Sequence, residues 1–263
     1  MFNSFSTNIS TLGIAVNDHA SVIAFVNSYK GKITVEETVC GNLENLVCHL
    51  NQIKKQKYQH IVFSVDDSKS ILKKIILDNE IKEKNIQKYL HDNQAQLFPG
   101  IKDDLIFDFE IIESSETQQC IQVNAIIKSH YEQIIDYCIE NKIKPKRIEF
   151  YSDSLIRLIN NKSKNNKVRL FIGYNYFIIF QNNRIIFSDI VNRNLVYYVS
   201  SFLLQCSNYQ IEEIMIHDSM KEDKEVRDLS RKLSLSIEKL AFDKKDLFNV
   251  IAIGAALLGF CDG

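Results

Sequence analysis

Residues Val168 to Asp189, VRLFIGYNYFIIFQNNRIIFSD, constrain the fold of this chain more than any other stretch. Apolar, β-branched and aromatic residues fill three short runs. Gly173-Tyr174-Asn175 and Gln181-Asn182-Asn183 break them. That pattern predicts three strands joined by two tight turns. A looser copy runs from Leu12 to Glu36, with breaks at Asn17-Asp18 and Tyr29-Lys30-Gly31. Each copy is followed by a helical periodicity and then another strand. Two such modules in one chain predict a duplicated α/β fold.

The chain between the copies carries a module of its own. Leu43, Leu46, Val47, Leu50 and Ile53 recur at helical spacing, and a strand follows at Ile61–Val65. Strand, helix, strand implies a crossover packed on the first sheet. From Ser70 the pattern changes. Ile71–Leu77 reads as a strand, then a helix from about Ile81 to Leu97, with Asp78 or Asn79 placed to cap it. Phe98-Pro99-Gly100 stops that helix. Leu105, Phe107, Phe109 and Ile111 alternate with Ile106, Asp108 and Glu110, and Ile121, Val123, Ala125 and Ile127 repeat the alternation. The polar tract Glu113–Gln119 reads as the loop between them. A second helix carries Tyr131, Ile134, Ile135, Cys138 and Ile139 on one face. The result is an inserted β-α-β-β-α subdomain over residues 70–142, within a first half spanning 1–162. The second half spans 163–263.

The return passes through a short strand at Ile148–Phe150 and a helix bearing Leu155, Leu158 and Ile159, with Ser152 or Asp153 as candidate cap. Lys162, Lys164, Lys167 and Arg169 read as a solvated basic linker, without the interleaved aromatics of a nucleic-acid surface. After the second meander come a helix from about Asn194 to Gln205, a strand Glu213–His217, a charged helix with Val226, Leu229 and Leu233 as its apolar stripe, a strand Ser236–Leu240, and a last helix from Asp246. Ala252, Gly254, Ala255 and Ala256 make that last helix slim enough for close backbone approach.

Composition excludes several functional classes. A net charge of −1 provides no bulk field for nucleic acid or an anionic membrane. The longest apolar run, Val250 to Phe260, is far short of the ~20 residues of a membrane-spanning helix. The N-terminus has neither a basic nor an apolar segment of a signal peptide, so the chain is expected to be cytoplasmic. Cys40, Cys48, Cys120, Cys138, Cys206 and Cys261 form no C-x-x-C pair and are expected to be buried thiols. The six histidines show no zinc-binding spacing, and neither a G-x-S-x-G elbow nor a P-loop is present. Asp66-Asp67 and Asp103-Asp104 are adjacent carboxylates whose side chains diverge in extended chain, and are expected in loops. Tyr197 and Tyr198 are expected to divide between surface and core.

The order of elements resembles the actin-like ATPases, specifically the FtsA/PilM branch, in which an extra subdomain sits in the first half. The resemblance is to the PilM family of type IV pilus assembly proteins and covers almost the whole chain. It is carried by Ile71 to Glu110, where the helix ends in Asn93-Gln94-Ala95-Gln96-Leu97-Phe98-Pro99 and the next strand bears Asp108-Phe109, and by the passage Tyr131 to Ser154. The resemblance implies a duplicated actin-like (RNase H-like) fold. It also implies a reduced second-half subdomain, because only a few residues separate Asp189 from Asn194.

In that family the first turn of each half holds nucleotide phosphate. The first motif, resembling D-x-G, falls on Ala15, Val16 and Asn17, with Asp18 nearby. The acidic position of the second falls on Phe171, with Gly173 surviving and Tyr174 and Tyr176 adding bulk. The third, a glycine pair, falls on His217-Asp218-Ser219. The resemblance therefore implies vestigial nucleotide positions at Gly13, Asn17, Asp18, Gly173 and Gly254. It implies no catalytic residue, no metal and no cofactor beyond weak ATP/Mg binding. It further implies a scaffold that holds the short cytoplasmic tail of a PilN-like bitopic inner-membrane protein, in a groove lined from Gln94, Leu97 and Phe98. Such a scaffold would sit peripherally at the inner membrane. Two alternatives accompany this reading: an ATP-binding actin-like switch or ATPase, and the cytoplasmic component of a type II secretion platform.

Overall fold

The computed structural model describes residues 9–17, 20–29, 32–41, 45–46, 50, 58–67, 70–162, 166–173, 176–190, 195–205, 210–217, 224–240 and 247–258. They form two compact units, 1–66 with 145–263, and 67–144.

The first unit holds two five-stranded sheets. In one, β1 (Ile9–Val16), β2 (Ser21–Tyr29) and β3 (Lys32–Gly41) form an antiparallel meander, and β4 (His60–Val65) joins β1 in parallel. The fifth strand of that sheet, β8 (Arg147–Phe150), pairs with β4, giving the order β3-β2-β1-β4-β8. The other sheet repeats the plan. There β9 (Val168–Ile172), β10 (Tyr176–Gln181) and β11 (Arg184–Ile190) form the meander, and β12 (Glu213–His217) and β13 (Ile237–Leu240) extend it in parallel, in the order β11-β10-β9-β12-β13. Both sheets thus run third-second-first-fourth-fifth, the duplication predicted from the two meanders. Asn182, at φ 54°, takes the left-handed conformation in the two-residue turn of the second meander, which asparagine tolerates better than most residues.

Val168, Leu170 and Ile172 pack with Phe177, Ile179 and Ile214 on one face of the second sheet, against Val199 of a helix at Leu195–Gln205 and Val226 and Leu229 of a helix at Lys224–Leu233. On the first sheet, Ala15, Val22 and Ala24 pack against Ile251 and Ala252 of the helix Leu247–Leu257 and against Tyr151 of the helix Tyr151–Lys162. Leu46 and Leu50 are helical and buried; the other apolar positions of that expected helix lie outside the described residues. Between Ile190 and Leu195 only residues 191–194 intervene.

The second unit is a three-stranded sheet in the order β5-β7-β6, formed by β5 (Ser70–Asp78), β6 (Leu105–Ser114) and β7 (Gln118–Ile127). Ile86 and Leu90 of helix Glu83–Asp92 cover Ile75, Leu77, Phe107, Ile121 and Val123. Three local expectations are corrected here. Neither Asp78 nor Asn79 caps the helix, which follows Lys82 without a side-chain cap bond. Asp78 instead accepts the Glu80 N–H at 3.0 Å, and the Asn79 amide donates to the Ser115 carbonyl at 2.6 Å. Short polar side chains compete for turn backbone in this way. The loop is also tighter than Glu113–Gln119, because Ser115 N–H meets the Gln118 carbonyl at 2.8 Å and the strands extend to that closure. Finally, Ile134 and Cys138 of helix Lys128–Glu140 are buried, but Ile139 is 68% exposed.

Candidate functional site

The β1–β2 turn is the first candidate phosphate position. Asn17 donates its backbone N–H to the Ala20 carbonyl at 3.0 Å, and its side-chain oxygen accepts the Ala20 N–H at 2.8 Å. The turn therefore satisfies itself through the Asn17 side chain, two residues beyond Ala15, where the acidic position of the first motif falls. The preceding carbonyl, Val16, accepts the Tyr151 hydroxyl at 2.6 Å. Asp18 lies outside the described residues. In the second meander Phe171 and Gly173 are buried, and Phe171 has no exposure at all. Tyr174 lies outside the described residues; Tyr176 opens β10. In the third position His217 is buried at the end of β12, and Asp218 and Ser219 lie outside the description.

Gly13 and Gly254 are engaged in packing. A Cβ on Gly13 would stand 1.9 Å from the Ala252 carbonyl oxygen and 2.4 Å from the Ala256 nitrogen. A Cβ on Gly254 would stand 2.1 Å from the Ser154 carbonyl oxygen. The last helix thus lies against β1 through one glycine and against helix Tyr151–Lys162 through the other. The slim stretch read from the sequence serves backbone approach between protein elements at both glycines.

A polar cluster that the sequence reading missed lies beside this crossing. Arg157 grips Glu149 with two bonds, at 2.7 and 2.6 Å, and also donates to the Gly254 carbonyl at 2.9 Å. Ser154 donates its hydroxyl within 2.5 Å of Glu149 Oε1 and lies 2.9 Å from the Ser64 hydroxyl. A bidentate, charge-assisted pair of this kind compensates the burial of Glu149. Asp153 accepts the Phe150 N–H at 3.3 Å, reaching back across the first helical turn. Burial, then the Glu149 charge, raise its pKa from 3.8 to about 6; the Phe150 bond and the Arg147 and Arg157 charges oppose the rise. The only signal in the sequence was Glu149 and Arg157 straddling a helix start, spaced as many exposed pairs are.

Arg169 requires a further correction. It is fully buried in β9, not part of a solvated basic linker. Its guanidinium lies 4.7 Å from the centre of the Phe180 ring and donates to Asn160. Burial lowers its pKa, while the carboxylates of Glu213 and Glu238 act in the opposite direction. Strand alternation explains the misreading: Val168 and Leu170 take one face, which leaves Arg169 on the other.

The expected tail-binding residues all lie in the second unit. Phe98 is buried and stacks on Phe107 with centroids 5.4 Å apart. Gln94 donates to the Asp103 carbonyl at 2.8 Å and accepts the Leu105 N–H at 3.1 Å. Leu97 is half-buried, and its carbonyl accepts the Lys73 ammonium. All three thereby fasten the helix end to β5 and β6. Cys138 is buried, which pushes its thiol up to about 11, and Cys120 is half-buried. Tyr197 is 65% exposed and Tyr198 packs on the core, the division expected. Among the described residues no helix is long and apolar enough to cross a membrane.

No family model matches the sequence, and no curated protein matches it. Solved structures do. A chain of the PilM-PilN type IV pilus biogenesis complex superposes with a TM-score of 0.68 at 12% identity, over 95% of this chain and 98% of that one. The cytoplasmic domain of EpsL, an inner-membrane component of the type II secretion system of Vibrio cholerae, superposes with a TM-score of 0.56 at 9% identity, over 95% and 94%. The chain has the actin-like fold. The repeated sheet order and the insertion between β4 and β8 are how this sequence builds it. The resemblance to PilM drawn from the sequence holds at the level of the fold.

Proposed function

We propose that this chain is a scaffold of the type IV pilus inner-membrane platform, holding the short cytoplasmic tail of a PilN-like bitopic membrane protein. The observation that carries the reading is the likeness to the chain from the PilM-PilN complex across nearly the full length of both. An extended tail would bind through main-chain hydrogen bonds and apolar pockets. In this reading the chain sits at the inner membrane through its partner and hydrolyses no ATP.

Support for the last point comes from the turns. The Asn17 side chain already bonds the Ala20 amide, and Phe171 occupies the second acidic position. Magnesium would have no carboxylate at either place. Losing a single preorganised donor in an enzyme costs roughly 3 kcal/mol of transition-state stabilisation. Titration calorimetry with a synthetic tail of the co-encoded membrane partner tests the scaffold. Binding supports it, and a folded protein that binds no tail rejects it.

The likeness to the EpsL domain favours a second reading, the cytoplasmic part of a secretion platform. Preference for a secretion-system partner over a pilus partner in the same titration would select it.

A further inference from the structure

β3 is an outer strand of the first sheet, and the bonds of its neighbours fix which of its residues face out. In the β1–β2 turn the Asn17 N–H bonds the Ala20 carbonyl, so odd-numbered residues of β1 bond β2. The Gln59 N–H bonds the Ser10 carbonyl at 2.8 Å, so even-numbered residues of β1 face β4, in agreement. Even-numbered residues of β2 are thereby taken by β1, and its odd-numbered ones bond β3. Through the pairs Tyr29–Lys32, Asn27–Thr34 and Phe25–Glu36, the even positions of β3 bond inward. Ile33 and Val35 turn their N–H and carbonyl groups away from the sheet.

This edge is not blunted. In the second unit, by contrast, the side chains of Gln94, Asp108 and Gln87 close backbone groups of β6 at Leu105, Phe109 and Phe107. Among the described residues no side chain bonds the backbone of Ile33 or Val35. Proline and bulges also protect natural edges. Residues 32–38 contain no proline, and the register shift of this pair lies beyond them, at Ser21/Val22 of β2. Ile33 is 43% exposed, and Tyr29 on the same hairpin is 56% exposed. Thr34 and Glu36 are exposed, and Val35 is half-buried.

We propose that β3 pairs antiparallel with β3 of a second copy of this chain, about a twofold axis through Thr34. Outward residues must meet outward residues, so only alternate registers are open. Centred on Thr34, each Ile33 meets a Val35, Thr34 meets Thr34, and Lys32 stands opposite Glu36 on both sides of the axis. Apolar β-branched pairs, threonine pairs and opposite charges are all favourable across strands. Glu36 has no other side-chain partner among the described residues. Centred on Val35, the pairing would set Ile33 against Glu37 and Thr34 against Glu36. Centred on Glu36, it would set that carboxylate against its own copy, and like charges directly opposite are destabilising. Centred on Ile33, it runs off the strand, which begins at Lys32. A twofold interface has to be self-complementary, and the Thr34 register makes this edge so. The surface belongs to the first unit and does not depend on the tail-binding reading.

The test is sedimentation equilibrium of the full chain from micromolar to millimolar concentration. The parent should show a reversible monomer–dimer equilibrium. Thr34→Lys places like charges on the axis and should weaken it roughly tenfold, while leaving the backbone bonds to β2 in place. Ile33→Pro removes an outward N–H only, which edge strands tolerate, and should abolish the dimer. Cysteine trapping checks the register without weakening it. Directly opposed residues of a non-hydrogen-bonded pair lie about 4.5 Å apart at Cα, within disulfide reach. Mild oxidation should therefore trap Thr34→Cys as a covalent dimer, with the parent as control for its own cysteines. Glu36→Cys, whose two copies would stand roughly 13 Å apart, should not be trapped. A parent that stays monomeric would overturn the assignment, whether the Ile33 and Val35 amides exchange freely or are protected by the chain itself. So would a dimer that survives both Thr34→Lys and Ile33→Pro, or equal trapping of the two cysteine variants.

Discussion

Gly254→Ala separates a packing glycine from a ligand-binding one. The new Cβ would sit 2.1 Å from the carbonyl oxygen of Ser154 and 2.7 Å from its carbonyl carbon. Both are backbone atoms inside a helix, so no side chain can swing aside and the two helices must separate. Overpacking of this kind costs roughly 1–3 kcal/mol. Separation also strains the 2.9 Å bond from Arg157 to the Gly254 carbonyl, and a hydrogen bond with a charged donor is worth roughly 1.5–3 kcal/mol. Against this, alanine is favoured over glycine in a helix by about 1 kcal/mol. The net is about 2–4 kcal/mol of destabilisation, or roughly 4–15 °C in Tm for a chain of this size. Thermal and urea unfolding of the ligand-free protein measure it. If the variant unfolds within about 1 °C of the parent, the glycine is not held by the helix crossing and the packing argument fails. A normal Tm with altered response to Mg-ATP would restore the nucleotide reading.

Four further outcomes follow from the same geometry. Arg157→Ala leaves Glu149 buried without its cation and should cost roughly 3–5 kcal/mol by urea unfolding, while Glu149→Gln with Arg157→Met should recover part of that loss. Because the Asp153 carboxyl is raised to about 6, the native state binds more protons than the unfolded state between the ordinary carboxylate value and pH 6. Parent stability should therefore fall as pH rises through that window, and Asp153→Asn should remove the fall; parallel urea profiles for the two proteins would contradict this. Phe98→Ala should cost roughly 3–5 kcal/mol, seen as lost hydrogen-exchange protection in the second unit, since Phe98 is buried on Phe107. Millimolar Mg-ATP should leave Tm unchanged, whereas binding to the native state alone would raise it.

The elements that were legible in the sequence are those whose period is set by burial on one face. The meanders, the alternation of Leu105 to Ile111 and the stripe Val226, Leu229 and Leu233 all emerge close to where their apolar spacing puts them. Sheet order was legible in outline because two similar meanders constrain each other. The polar details were not legible, for a physical reason. Asp78 and Asn79 have the chemistry of a helix cap, yet the turn at Ser115, which lies 36 residues from Asn79, recruits the asparagine first. Sequence spacing carries no information about a competitor that arrives through tertiary pairing.

Arg169 and Gly254 show the same limit from opposite sides. A lysine-rich approach makes Arg169 look solvated, but strand alternation carries it under Phe180, where the ring face, Asn160 and the carboxylates of the neighbouring strands sustain its charge. Gly254 looks like a place for a ligand because small residues admit close approach, and close approach does occur, to Ser154. In both cases the residue type specifies an environment without specifying who provides it. The candidate nucleotide site follows that logic too. Asn17 retains a turn-forming role by bonding Ala20, so the turn persists without a ligand to hold it together. Asn17→Asp keeps an acceptor for the Ala20 N–H and adds a carboxylate to the first turn, two residues beyond Ala15, where the acidic position of the motif falls. If the remaining architecture were competent, that one change would produce a Mg-ATP-dependent rise in Tm. With Phe171 filling the second acidic position, the expected result is no rise, and a rise would mean that a single side chain had silenced the site.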